Sequence, residues 1–270
     1  MTTYTAPVKR RKYGKGHRYE DANGVKVPGV TTVLGDGVPK PALINWAANA
    51  TAEAAVDRWD EFAGLTPSKR LAALQKARYA ERDAAANRGT EVHGWAERYV
   101  RGEEVEVPDD IAGHTESYAH FVDEWQPEPV LIEAVVMSHR HGYAGTLDAI
   151  LDVPKLGRIL LDIKTSRSGI FGETALQLAA YRYADTYVDE NGDEQPMHEV
   201  DDVYGLHVRA DGYDLLPITA GPEQLRTFLY VQQVARFTTT TSKELVGTAL
   251  TPPRSMRRRR LEIIEGAEQR

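Results

Sequence analysis

Two apolar stretches carry charges where a buried strand would not tolerate them alone. Asp148 interrupts "GYAGTLDAILDV", and Asp162 with Lys164 interrupts "GRILLDIKTSRSG", which is otherwise Ile159, Leu160, Leu161 and Ile163. Strand side chains alternate faces, so Leu160, Asp162 and Lys164 share one face and Ile159, Leu161 and Ile163 the other. Burying a lone carboxylate or ammonium is costly, so the pair persists where it is mutually paired or where a ligand binds. The plain alternative is a buried Asp–Lys ion pair at an edge strand. If a short turn sets the strand of Asp148 against that of Asp162, two carboxylates converge and repel unless a proton or a cation lies between them. Oxygen ligands favour a hard divalent ion, Mg2+ or Mn2+. Such a site can activate water, neutralise a phosphate and stabilise the charge that develops as a phosphodiester is displaced in line. Asp152 shares the Asp148 face by the two-residue period but falls near a turn, where solvent can reach it.

The elements that must position these residues follow from periodicity and turn signals. Asn23-Gly24 predicts a hairpin over 19–27. From 41 to about 100 the sequence is alanine-rich, charged and 3.6-periodic, with Thr66 or Ser68 as caps and Arg101-Gly102 as a stop, which predicts two or three helices. Three strands follow over 130–138, 144–153 and 158–165. A helix is expected over 173–188, then strands over 202–209 and 213–218 about Asp211-Gly212, and a last helix over 222–237. The order predicts an α/β protein with a mixed sheet of four or five strands, flanking helices and an N-terminal helical lobe. No internal repeat is visible.

Composition bounds the chemistry. The 270 residues contain no cysteine, which rules out disulfides, thiolate zinc, cysteine nucleophiles and an iron–sulfur cluster held by cysteine. No apolar run suits a membrane span and no leader pattern is visible, so a cytoplasmic protein with no membrane partner is expected. The net charge of −7 argues against a nucleic-acid partner only as an average. Lys9, Arg10, Arg11, Lys12, Lys15 and Arg18 all precede the first acid, Glu20, and Arg254, Arg257, Arg258, Arg259 and Arg260 form a second basic block. Such blocks either follow a phosphate backbone or are solvated tails.

Gly145-Thr-Leu-Asp148, Asp162-Ile-Lys164 and Gln177-Leu-Ala-Ala-Tyr181 together resemble, in order and spacing, the GxxD, (D/E)xK and QxxxY motifs of PD-(D/E)XK nucleases of the RecB-like branch. The proline of the family name is missing before the first aspartate. The likeness covers residues 89–181, about a third of the chain. More loosely, "GVKVPGVTTVLGDGVPKPALINWAANA" resembles the N-terminal lobe of phage-encoded exonucleases of this branch. The resemblance implies a restriction-endonuclease-like core and divides the chain into a basic arm and hairpin (1–40), a helical lobe (41–127), a nuclease core (128–250) and a basic tail (251–270).

Residue by residue, it implies that Asp148 and Asp162 bind Mg2+ or Mn2+, that the Ile163 carbonyl adds a ligand and that Lys164 assists the attacking water. His93, in "NRGTEVHGWAERYVRGEEV", would be a further ligand. It flanks the helical stripe of Val92, Trp95, Ala96, Tyr99 and Val100, and without the other motifs it would read as an exposed or capping histidine. Gln177 and Tyr181, four apart on one helix face, would hold the active site and the DNA strand. Glu133 is either a supporting acid or a strand-end surface residue. His114, His139 and His141 are expected in turns or at the surface.

The expected activity is metal-dependent hydrolysis of DNA by an exonuclease of phage-type recombination or DNA processing, in the host cytoplasm if phage-encoded. A structure-specific endonuclease and a non-cleaving DNA- or partner-binding protein are the alternatives. Expected partners are DNA and, by analogy, a single-strand annealing protein or further copies of the chain.

Overall fold

The structure, a computed structural model, describes residues 3–14, 16–103 and 106–251. Lys15 and the arginines of the second basic block lie outside the described residues. The chain opens with three short strands, β1 (Lys9–Tyr13), β2 (Gly16–Glu20) and β3 (Lys26–Val27), paired in that order as a small antiparallel sheet. The turn at Asn23-Gly24 joins β2 to β3, and the Asp21 carboxylate closes it by accepting the backbone N–H groups of Thr5, Asn23 and Val25. The basic run is itself a strand pair, because every residue of β1 faces one of β2, from Lys9 opposite Glu20 to Tyr13 opposite Gly16.

Five helices follow: α1 (Val30–Gly37), α2 (Pro41–Asp57), α3 (Trp59–Ala63), α4 (Pro67–Val100) and α5 (Ala112–Trp125). Then come strands β4 (Glu128–Ile132), β5 (Val135–Ser138), β6 (Tyr143–Thr146), β7 (Ala149–Val153) and β8 (Gly157–Lys164), helix α6 (Glu173–Arg182), strands β9 (Thr186–Val188), β10 (Glu194–Pro196), β11 (Asp202–Arg209) and β12 (Gly212–Pro217), and helix α7 (Pro222–Thr239). No helix among the described residues is long and apolar enough to cross a membrane. The central sheet runs β12-β11-β8-β7-β4. It is mixed: β11 lies parallel to β8 because α6 crosses between them, and the other pairings are antiparallel.

The alternation read in the sequence separates two cores. Ile159, Leu161 and Ile163 of β8 join Leu151, Leu206 and Val208 against Val92 and Trp95 of α4 and Tyr118 and Phe121 of α5. Leu160 joins Ile150 and Val203 on the opposite face, beneath Leu178 of α6, Phe228 of α7 and Val33 and Leu34 of α1. The result is an α/β protein with helices on both faces of the sheet. Asp162, on the Leu160 face, points toward α6, while His93 comes from α4 on the other side.

Several expected boundaries change. The strand expected over 130–138 is two strands in two sheets: β4 edges the central sheet, whereas β5 belongs to a second sheet, β10-β9-β5-β6. The strand expected over 144–153 breaks in the same way into β6 and β7. The helix expected to reach 188 ends at Arg182, and Thr186–Val188 instead pairs with β5 and β10. The aromatic and alanine spacing of "AAYRYADTY" fits a helix, but the edge of β5 offers unpaired backbone groups whose pairing overrides that local preference. Helix α1, not foreseen, buries Val30, Val33 and Leu34 against the core.

Candidate metal centre at the bend of a hairpin

Strands β4–β5 and β6–β7 form one long hairpin that bends in the middle. Both strands leave the ladder at the same level, Glu133 and Ala134 on one side and Leu147 and Asp148 on the other. The bend stays hydrogen-bonded: the Glu133 N–H donates to the Asp148 carbonyl at 2.9 Å, and the Leu147 N–H to the Ala134 carbonyl at 3.0 Å. Glu133 has φ of 48°, a left-handed conformation uncommon for a residue with a Cβ. A strained backbone at a site carrying functional groups is a recurrent association. The bend turns Glu133 and Asp148 out of the strand alternation and toward each other.

His93 of α4 completes the group. One ligand atom from each of His93, Glu133 and Asp148 lies within 4.8 Å of the others. His93 Nδ1 is 3.7 Å from Asp148 Oδ1 and 3.8 Å from Glu133 Oε1, while its Nε2 donates to the Ile163 carbonyl at 2.9 Å. The histidine thus clamps the helix layer onto the end of β8. Asp148 Oδ2 accepts the Ile163 N–H at 2.7 Å, which ties the bend to the same residue.

Asp162 lies one step deeper and is nearly fully buried. Gln177 of α6 donates to its Oδ1 at 2.8 Å, and Lys164 Nζ stands 2.6 Å from Oδ2. That second contact is a close, charge-assisted ion pair, so the ammonium already sets one positive charge against the buried Oδ2. Tyr181, one turn beyond Gln177, is buried, and burial together with Tyr19, Asp148 and Asp162 raises its hydroxyl well above the usual range, so it stays neutral. Its ring explains the glycine at 145: a Cβ there would lie 2.3 Å from a ring carbon of Tyr181.

Charges in the cluster balance without a metal. Burial lowers the His93 pKa, but Asp148 and Glu133 outweigh it and raise the imidazole to about 9, so the ring is protonated at neutral pH. Burial raises Asp148 to about 6 against the pull of His93, with Asp162 adding to the rise. Lys164 is also raised, because Asp162 and Asp148 outweigh its burial, and it keeps its charge.

Two further groups reach the site from the basic hairpin. Arg10 Nη1 lies 3.6 Å from Glu133 Oε2, and the Tyr19 hydroxyl bonds Thr146 Oγ1 at 2.8 Å, two residues from Asp148. The sequence showed a basic run but not its destination, since only the packing of Val8, Tyr19 and Val27 against Met137 and Ala144 brings the hairpin here.

The remaining histidines and acids stand elsewhere. His139 pairs with Glu194 at 2.6 Å, His114 stands in the first turn of α5, where burial and then Arg88 lower its imidazole from the ordinary value, and His141 stacks on Tyr143. Asp152, near the end of β7, accepts from Nε and Nη2 of Arg158 at the start of β8, each at 2.8 Å. No protein-family model matches the chain and no curated protein matches it.

The residues present fit a hard divalent ion. Carboxylates of Glu133 and Asp148 and the His93 imidazole form a mixed oxygen and nitrogen donor set, which suits Mn2+ and Mg2+ and excludes thiolate-bound metals in a chain without cysteine; Asp162 stands outside that group, its Oδ2 paired with Lys164.

Proposed function

We propose that the protein is a metal-dependent deoxyribonuclease on a restriction-endonuclease-like core, acting as an exonuclease in the cytoplasm. The observation that supports this reading is the convergence of His93, Glu133 and Asp148 within 4.8 Å, with a buried Asp162 paired to Lys164 on the adjoining strand. His93, Asp148 and Asp162 would hold Mg2+ or Mn2+, with Glu133 a ligand or the acceptor for a bound water. The Ile163 carbonyl can join them once His93 Nε2 releases it. When bound, the ion supplies a Lewis acid and lowers the pKa of its water.

The chain's own groups do the rest. Lys164 faces the phosphate as a fixed positive charge and orients the attacking water. Gln177 keeps Asp162 in one rotamer, and Tyr181 fixes α6 against Gly145. Arg10, 3.6 Å from Glu133, is placed to meet the substrate backbone.

The test incubates the protein with linear and circular DNA, labelled at either end, in Mg2+, Mn2+ or EDTA. Loss of linear DNA alone, in metal only, is expected, and the order of label release gives polarity. Cleavage of circles would replace the exonuclease by an endonuclease. Binding without cleavage in either metal would overturn the catalytic reading.

A further inference from the structure

Beside the metal cluster, a cavity of about 900 Å³ opens between the basic hairpin, α1, α7 and the turn that joins β5 to β6. It adjoins the cluster through one chain of contacts. Arg10, 3.6 Å from Glu133, lies 3.5 Å from His17 Nδ1, and His17 Nε2 lies 3.1 Å from the Tyr19 hydroxyl. His17 and Tyr19 both line the cavity.

The lining is cationic in a protein whose net charge is −7. Arg18, Lys26, Arg140 and Arg236 face the space, against the single carboxylate of Asp36. Only Arg18 of these four forms an ion pair among the described residues, with Glu20 at 2.6 Å. The Arg18 guanidinium also lies 4.8 Å over the ring of Tyr13, which is 64% exposed. Unpaired cations around one concavity recruit a polyanion, and an exposed aromatic ring beside arginine is a platform on which bases stack. The volume falls within roughly 300–1,000 Å³, the range that encloses one small ligand. A few nucleotides of one strand fit such a space, and a duplex does not.

We propose that this cavity receives a single strand of nucleic acid to one side of the scissile phosphate, its phosphates on Arg140 and Arg236 and a base on Tyr13. This deepens the nuclease reading and rests on it for the position of the scissile bond. It makes single-stranded ends, or ends opened from a duplex, the form that the site engages.

The test measures binding by fluorescence anisotropy in EDTA, where no cleavage intervenes, with a labelled oligothymidylate and with a blunt duplex of the same length. The proteins are wild type, Arg140→Ala with Arg236→Ala, and the same two positions changed to Lys. The alanine pair should weaken single-strand binding roughly tenfold and flatten the slope of log affinity against log salt by about 1.4, about 0.7 for each phosphate no longer neutralised. The lysine pair should restore most of both, because a phosphate accepts either cation as a point charge, and this separates the effect from misfolding. Equal losses for duplex and single strand, or an unchanged slope, would overturn the proposal. Wild-type protein that shows the expected binding but cleaves nothing in Mn2+ would retain the strand site and remove the nuclease reading.

Discussion

The same pair of antiparallel strands, β7 and β8, carries two acid–base pairs with opposite characters. At the turn end, Asp152 and Arg158 are register partners, both partly exposed, with both carboxylate oxygens bonded to one guanidinium. At the other end, Asp162 is 2% exposed, one oxygen accepts from Gln177, and the other pairs with Lys164 at 2.6 Å. In sequence the two acids look alike, each an aspartate within a strand of apolar residues. What separates them is burial and company. The first pair is wet and has no other acid against it. The second sets a buried carboxylate against a partly exposed ammonium, and it lies beside another mostly buried acid, Asp148. A charge pair marks a site when acids crowd together out of water and one more cation can ease their repulsion.

The largest effect should separate the two ends by activity. Asp148→Asn, Asp162→Asn and Lys164→Ala should each lower cleavage by on the order of 10²–10³-fold or more, the scale for removing a group that meets transition-state charge. Asp152→Asn and Arg158→Ala should leave it at the wild-type rate. Stability should move the other way. Because burial raises Asp148 to about 6, ionising it costs stability that grows above the ordinary carboxylate pKa and is complete once the pH passes about 6, so metal-free Asp148→Asn should melt no lower than wild type at neutral pH. Mn2+ should raise the melting temperature of wild type and not of Asp148→Asn. Wild-type rates in all three site variants would erase the distinction.

Metal affinity provides the next contrast. Gln177→Ala leaves Asp162 unoriented and should weaken apparent Mn2+ binding by about 10–100-fold, the usual cost of losing a group that holds a ligand in place. His93 adds a pH signature. Its folded pKa of about 9 exceeds the ordinary imidazole value, so the stability from the charged ring is complete below about 6.5 and is lost as pH rises through about 9. Metal must displace that proton, so apparent Mn2+ affinity should rise about tenfold per pH unit in this window. In His93→Ala both trends should vanish. Superimposable affinity profiles for the two proteins would leave the metal to the carboxylates alone.

Two glycines sharpen the comparison at smaller scale. Gly145→Ala drives a methyl into the buried Tyr181 ring, and Gly157→Ala combines φ of 77° with a Cβ 2.4 Å from Asp201 Oδ2. Each should cost about 1–3 kcal/mol in denaturant unfolding. Only Gly145→Ala should also slow cleavage by folded protein, since Tyr181 and Gln177 share α6. Equal activity in both variants would mean that α6 tolerates the shift.

The contrast also explains how much was legible. Charges inside apolar runs pointed to Asp148, Asp162 and Lys164, and alternation assigned Asp162 and Leu160 to one face and Ile159, Leu161 and Ile163 to the other, because both signals are local. The bend was not legible. It needs Glu133 in a left-handed conformation that no glycine or proline announces, and it exists because β4 and β5 satisfy different sheets. Glu133 therefore read equally well as a surface residue. Arg10 was visible as charge, and its place beside Glu133 depends on contacts more than a hundred residues apart in the chain, which no periodicity encodes. A mixed sheet of four or five strands with flanking helices was foreseen, because the turn and helix signals between its strands are strong.

The smallest effect belongs to the wet pair, and it tests whether the turn end is as inert as its bonding implies. Breaking Asp152–Arg158 by Arg158→Ala should change stability by at most about 1 kcal/mol, since the gain of an exposed ion pair is offset by side-chain ordering and screened by salt. The Arg158 hydrogen bonds hold the Asp152 carboxyl below its usual range. That contribution is therefore present above the ordinary carboxylate pKa and is lost as the pH falls through the lowered one. The difference in melting temperature between wild type and Arg158→Ala should shrink in molar salt and again in acid. At the other end the Asp162 carboxylate is shielded from solvent and only Lys164 is partly exposed, so salt should change the melting temperature of Lys164→Ala relative to wild type less than that of Arg158→Ala. A salt-sensitive Lys164 and a salt-insensitive Arg158 would invert the comparison and make the turn, not the bend, the desolvated end of the hairpin.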